Sequence, residues 1–202
     1  MPADLTVPFI GLTGGLGSGK STALAALGRL GAMTLSTDAV VHELYTDDAE
    51  LRALVVERWG DGVAPGGVID RGEVAKHAFA DPGERKWLEQ QIWPRVAQKV
   101  VDFRAAANAA RAGGADVPAA VVETPLLFEA GMEQAYDATI AIVADEAVRA
   151  ERASARGHHA VDERAAAQLT QQEKADRATY VVANSGTVEE LEEALSSVLG
   201  RL

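Results

Sequence analysis

The sequence predicts an α/β fold built on a parallel sheet, and three observations carry that reading. First, an apolar run containing Val7, Phe9, Ile10 and Leu12 leads into Gly14-Gly15-Leu16-Gly17-Ser18-Gly19-Lys20-Ser21. This stretch fits G-x-x-x-x-G-K-[ST]: glycines let backbone N–H groups wrap a phosphate, the lysine reaches its terminal oxygens, and the hydroxyl suits Mg²⁺. Second, strong helix formers follow from Ser21 to Leu27 and Gly31 closes them, so strand, loop and helix come in the order the motif needs. Third, apolar runs alternate with helical patterns down the chain, the rhythm of βαβ units.

Strands are expected at residues 7–12, 32–35, 119–122, 138–143 and 180–183. Pro8 is tolerable near the start of the first. Helices are expected from Ser36 through Tyr45 after an opening turn, then over 49–59, 70–79, 84–112 and 188–199. Pro94 should kink or split the long fourth helix. Gly60-Asp61-Gly62 and Pro65-Gly66-Gly67 mark a loop with room for a small hairpin. In the last helix, Glu189-Glu190 and Glu192-Glu193 read as a solvated face, with Leu191, Leu195 and Leu199 inward. The second and third strands are separated by several helices rather than one, so this stretch reads as an insertion at the sheet edge where ligands bind.

The chain has 202 residues, 48% of them hydrophobic and only 5% aromatic, so Ala, Val and Leu must fill most of a substantial core. It contains no cysteine, which excludes disulfides, thiolate metal sites and cysteine nucleophiles. The net charge of −11 argues against a general nucleic-acid binder. No apolar segment is long enough to span a membrane, and no secretory signal is evident, so a soluble cytoplasmic protein is expected. An anion site in so acidic a chain must rely on a few of its 19 basic residues and on backbone dipoles.

Several residues beyond the loop have the right chemistry. Asp38, just after the second strand, suits either a general base facing the γ-phosphate or the N-cap of the following helix. Glu123, after the third strand, suits either water-mediated Mg²⁺ binding or a turn. Arg149, Arg152 and Arg156 fall on one helical face; they read either as a basic lid over a nucleotide or as a solvated face paired with Glu151, Asp162 and Glu163. Lys174 and Arg177 are weaker candidates. His158-His159 lacks a third ligand for a metal. His42 and His77 read as structural, and Trp59, Trp87 and Trp93 as packing residues.

Taken together, these residues resemble the dephospho-coenzyme A kinase family. The resemblance runs through Gly11 to Thr22, Thr37-Asp38, Ile69-Asp70-Arg71, Phe79-Ala80-Asp81-Pro82, Trp87-Leu88 and Pro125-Leu126-Leu127-Phe128-Glu129-x-Gly131. It continues through Arg152, Arg156, Gln168, Lys174 and Asn184-Ser185-Gly186. It implies a three-layer P-loop kinase fold with a parallel sheet, a helical substrate-binding insertion and a helical lid. The core would be 1–38 with 115–144 and 178–202, the acceptor domain 39–114, and the lid 145–177. The implied reaction is ATP-dependent phosphorylation of the ribose 3′-hydroxyl of dephospho-coenzyme A, with Mg²⁺. Asp38, Lys20 and Arg152 would be catalytic. Gly15, Gly17, Ser18, Gly19, Lys20, Ser21, Thr22, Arg156 and Asn184 would hold nucleotide, with Ser21 on the metal. Arg71, Phe128 and Glu129 would border the acceptor. The chain departs from the family pattern at Ser36, His42, Trp93 and Thr179. A kinase for another hydroxylated acceptor, a nucleotide switch without acceptor, and a coenzyme A-binding protein without catalysis are the alternatives.

Overall fold

The computed structural model describes residues 6–155 and 168–202. The chain divides into two compact units, Ser36–Asp102 and the remainder.

The larger unit is organised by a five-stranded sheet. Its strands are β1 (Phe9–Gly14), β2 (Met33–Ser36), β3 (Ala120–Glu123), β4 (Ala138–Val143) and β5 (Tyr180–Ala183), in the order β2-β3-β1-β4-β5. β1 pairs in parallel with β3 and β4, and β4 with β5. β1 begins two residues later than expected because Pro8 has no N–H to give the ladder; its carbonyl still accepts from Ala120 N. The strand then continues through Thr13 and Gly14, which pair with Ala141 and Ile142.

Side chains alternate across β1. Ile10 and Leu12 join Val121, Ile140, Ile142 and Val182 in a core covered by α1 (Lys20–Arg29) and by the last helix, Val188–Leu199. That last helix buries Leu191, Leu195 and Val198, leaves Leu199 half-buried, and exposes Glu189, Glu190 and Glu193. On the opposite face Phe9 stacks on Tyr136 with centroids 5.1 Å apart. Gly11 lies on this face, where a Cβ would come within 2.5 Å of Leu127 Cδ1. α6 (Glu146–Ala155) follows β4, and α7 (Gln171–Arg177) precedes β5. A capping box between Thr170 and Glu173 starts α7.

The smaller unit is helical: α2 (Thr37–Asp47), α3 (Ala49–Trp59), α4 (Arg71–Ala80) and most of α5 (Pro82–Ala112), whose residues from Phe103 belong to the larger unit. Asp48 caps α3 through Leu51 N and receives Arg95 Nε at 3.0 Å. Asp70 caps α4 through Gly72 N and Glu73 N. Trp59 stacks on His77 and meets Trp87 edge-on, while its indole N–H donates to Glu84 at 2.7 Å.

Three expectations fail here. Residues 60–67 form two 3₁₀ turns, Asp61–Val63 and Pro65–Gly67, rather than a hairpin; Gly60, Gly66 and Gly67 at positive φ turn the chain without strand pairing. α5 runs unbroken through Pro94, which lies at an exposed position. The cost of one missing helical hydrogen bond, ~3 kcal/mol, is spread over a helix long enough to hold both flanks. Trp93 is 60% exposed and is not a packing residue.

No helix among the described residues is long and apolar enough to cross a membrane.

Candidate active site

The site is built at the carboxyl end of β1. Gly17 and Gly19 adopt φ of +75° and +87°, conformations that cost an L-residue strain, and Gly19 is the N-cap of α1. The turn closes through Ser18 N donating to Gly15 O at 3.2 Å. Lys20 Nζ folds back onto the loop, donating to the carbonyls of Gly14 at 3.0 Å and Gly15 at 3.1 Å. Ser21 and Thr22 follow in the first turn of α1, and Ser21 is exposed. The N-terminal N–H groups of α1 and its positive dipole end therefore stand where the loop opens.

Other elements fix this loop from outside. Asn184, on the turn after β5, is 4% exposed, and its Nδ2 donates to Ser18 O at 2.8 Å. A Cβ on Gly19 would lie 2.1 Å from that nitrogen, so only glycine fits there. Arg152 Nη1 donates to Asn184 O at 2.9 Å. Arg149 Nε donates to Leu16 O at 3.0 Å, and its guanidinium pairs with Glu146. Gly15, Leu16, Arg149, Gln168, Thr170 and Gln171 are among the residues lining a cavity of about 420 Å³ beside the loop. Gln171 clasps the end of β4 with both amide atoms: Ala144 N donates to its Oε1 at 2.8 Å, and its Nε2 donates to Ala144 O at 3.0 Å.

Lys174 is fully buried. It donates to Pro125 O at 2.6 Å and pairs with Glu129 Oε1 at 2.9 Å. Leu169 N donates to the same carboxylate oxygen at 2.9 Å, and Thr13 Oγ1 donates to Pro125 O at 3.3 Å. This node links β1, the turn after β3 and the start of α7. Glu123 is 6% exposed at the end of β3, opposite Leu12 in the ladder.

The residues expected at the site have separate fates. Lys20, Ser18, Asn184 and Arg152 come together around the loop. Phe128 is buried beneath the Arg177 guanidinium, 4.9 Å from its ring centroid, and Glu129 is taken up by Lys174. Asp38 is exposed in the first turn of α2, where Ser36 holds the N-cap position, so Asp38 is not that helix's cap. Arg71 is the exposed first residue of α4. Its charge opposes the upward shift that burial gives the Tyr45 hydroxyl. Thr179, a departure from the family pattern, exchanges reciprocal hydrogen bonds with Thr139, each backbone N–H donating to the other's Oγ1 at 3.0 Å. Arg156 and His158-His159 lie outside the described residues. Sequence reasoning underrated Lys174 and Gln171. The Thr170-x-x-Glu173 signature places α7, but nothing in the pattern says which of its faces is buried.

The family model for dephospho-CoA kinase matches residues 8–190. The chain belongs to the dephospho-CoA kinase family. It is 37% identical over 205 residues to the dephospho-CoA kinase of Deinococcus radiodurans, covering 100% of this chain and 96% of that one. It is 36% identical to the enzyme of that name from Synechococcus sp. strain CC9902, covering 94% of each chain. Among solved structures, TT1252 from Thermus thermophilus superposes with a TM-score of 0.77 at 33% identity over 98% of both chains. Shikimate kinase from Bacteroides thetaiotaomicron shares the fold, with a TM-score of 0.50 at 16% identity over 96% of this chain and 99% of that one. The architecture is therefore that of the P-loop kinases.

Proposed function

We propose that this protein transfers the γ-phosphoryl group of ATP to the ribose 3′-hydroxyl of dephospho-coenzyme A, giving coenzyme A and ADP. The observation that carries the reading is the family match across residues 8–190 in a chain whose phosphate loop, Gly14 to Ser21, is intact and formed.

The roles follow from the chemistry of phosphoryl transfer, which is mostly positioning and charge neutralisation. Gly15 through Thr22 wrap the phosphates. Lys20 Nζ, which donates to the Gly14 and Gly15 carbonyls at the rim of the loop, is placed to reach the terminal phosphate oxygens. Arg152, joined by Arg156, meets the negative charge spread over the transferred group. Asp38 orients the 3′-hydroxyl and takes its proton as the new O–P bond forms and the bond to ADP breaks. Arg71 attracts the acidic acceptor. Phe128 and Glu129 shape the acceptor side by holding the loop after β3 rather than by direct contact.

Ser21 and Glu123 present hard oxygen donors that fit Mg²⁺, the ion proposed to accompany ATP. When bound there it would supply neutralisation of phosphate charge. The protein acts in the cytoplasm, without a nucleic-acid or membrane partner.

The test is an ADP-release assay with and without dephospho-coenzyme A. Release that depends on the acceptor is expected; equal rates without it would refute the reading. Asp38→Asn should lower kcat by roughly 10²–10⁴-fold with little change in ATP affinity. Turnover near the parent rate would remove Asp38 from the role of base.

A further inference from the structure

We propose that Arg149 is a positioning residue of the phosphate site, acting by holding the Leu16–Gly17 peptide in its anion-binding orientation. The proposal rests on the nucleotide half of the reading above and is independent of the acceptor.

A trans peptide points its C=O and its N–H in opposite directions, and no peptide in the described chain is cis. Arg149 Nε fixes the Leu16 carbonyl from the α6 side at 3.0 Å. The Gly17 N–H of the same peptide is thereby aimed away from α6. Asn184 does the same one step along: its Nδ2 takes the Ser18 carbonyl at 2.8 Å, and the Gly19 N–H is turned to the opposite side. The carbonyls of these two peptides are drawn outward, and the N–H groups of the same two peptides, those of Gly17 and Gly19, are turned to the other side, the arrangement that makes a backbone anion nest.

Arg149 is built for this task rather than merely adjacent. Its side chain is 22% exposed although it sits on a helix with charged neighbours. Glu146, one turn back, orients the guanidinium at 2.6 Å. The guanidinium plane lies against Gly15, where a Cβ would be 3.2 Å from Nη2. The Arg149 backbone packs on Gly17 so closely that a Cβ there would be 2.5 Å from its carbonyl oxygen. Helix α6 and the loop therefore fit as one surface, with the Nε–Leu16 bond as its directional element. A peptide freed from that bond can rotate, and each rotated state must be undone before phosphate binds.

The test measures Mg·ATP, ADP and AMP binding by titration calorimetry on Arg149→Met and Arg149→Lys in the full chain. Met keeps the stem and removes every donor; Lys keeps one cationic donor. Loss of one charge-assisted hydrogen bond corresponds to about tenfold or more in affinity. The expected result is that Arg149→Met weakens ATP and ADP about tenfold, leaves AMP less affected, and keeps the KM for dephospho-coenzyme A, while Arg149→Lys recovers part of the loss. A merely structural role would lower melting temperature and weaken all three nucleotides alike, which would overturn the proposal, as would unchanged ATP affinity in Arg149→Met. If Arg149→Met does not fold, Arg149→Lys decides: weaker ATP binding with a parental melting temperature supports the assignment, and parental ATP binding removes it. Should the parent protein bind ATP yet ignore dephospho-coenzyme A, the function above fails and this proposal stands.

Discussion

Replacing Lys174 with methionine tests how much the buried charge node contributes. The ammonium is fully buried and makes two contacts, to Pro125 O at 2.6 Å and Glu129 Oε1 at 2.9 Å. Methionine fills most of the stem's volume but leaves the carboxylate, among the described residues, with the Leu169 N–H as its donor. Its Oε2 is already buried without a hydrogen-bond partner among the described residues. Breaking one side of a buried pair costs about 3–5 kcal/mol because the remaining charge is uncompensated. Against a typical total of about 5–15 kcal/mol this is a large fraction. For a chain of this size it corresponds to a fall in melting temperature of roughly 6–20 °C. The double variant Glu129→Gln with Lys174→Met removes both charges, and its amide oxygen can still accept from Leu169 N. Replacing both members of a buried pair is often near neutral, so most of the loss should return. Urea unfolding of the parent, both single variants and the double closes the cycle. A Lys174→Met cost below about 1 kcal/mol, or a double variant no more stable than Lys174→Met, would refute the reasoning.

Two further perturbations follow from the geometry. Gly19→Ala places a Cβ 2.1 Å from Asn184 Nδ2 at a φ of +87°; it should weaken ATP binding at least about tenfold by calorimetry, and parental affinity would show that the loop tolerates another shape. Glu84 is held at a pKa of about 2, below its ordinary 4.5, chiefly by hydrogen bonds from Arg58 and Trp59. A depressed carboxylate stabilises the fold above its unfolded pKa and loses that contribution as pH falls toward the folded value. Glu84→Gln should therefore flatten the loss of stability between about pH 4.5 and 2, followed by fluorescence of Trp59 and Trp87, and an unaltered acid profile would count against the ion pair.

The sheet and phosphate loop were legible because their signals are local. An apolar run, a glycine pattern and a lysine lie within fourteen residues, 7 to 20, and the run marks a strand that is buried along its whole length. The last helix was equally readable: its leucines repeat every four residues and its glutamates fall between them. What failed was not decided by residue type alone. Pro94 is a breaker by composition, yet α5 runs through it. Trp93 is large and apolar, yet 60% exposed. Glu129 carries the chemistry of a ligand contact, but its partner is Lys174, 45 residues away, and only the fold brings the two together.

The acidic balance of the chain sharpens the meaning of the loop's construction. A protein of net charge −11 must attract a polyanion. Adding lysines would serve weakly, since exposed charges are screened within about 10 Å in salt. Backbone N–H groups supply field without net charge, provided that their peptides are held in one orientation before the ligand arrives. Here each outside donor acts on a carbonyl, Arg149 on Leu16 and Asn184 on Ser18, while Arg152 holds Asn184 itself. Arg149 thus bears on a peptide of the loop directly and Arg152 only by way of Asn184. That arrangement places the electrostatic effect where the phosphates bind and leaves the rest of the surface free to remain acidic.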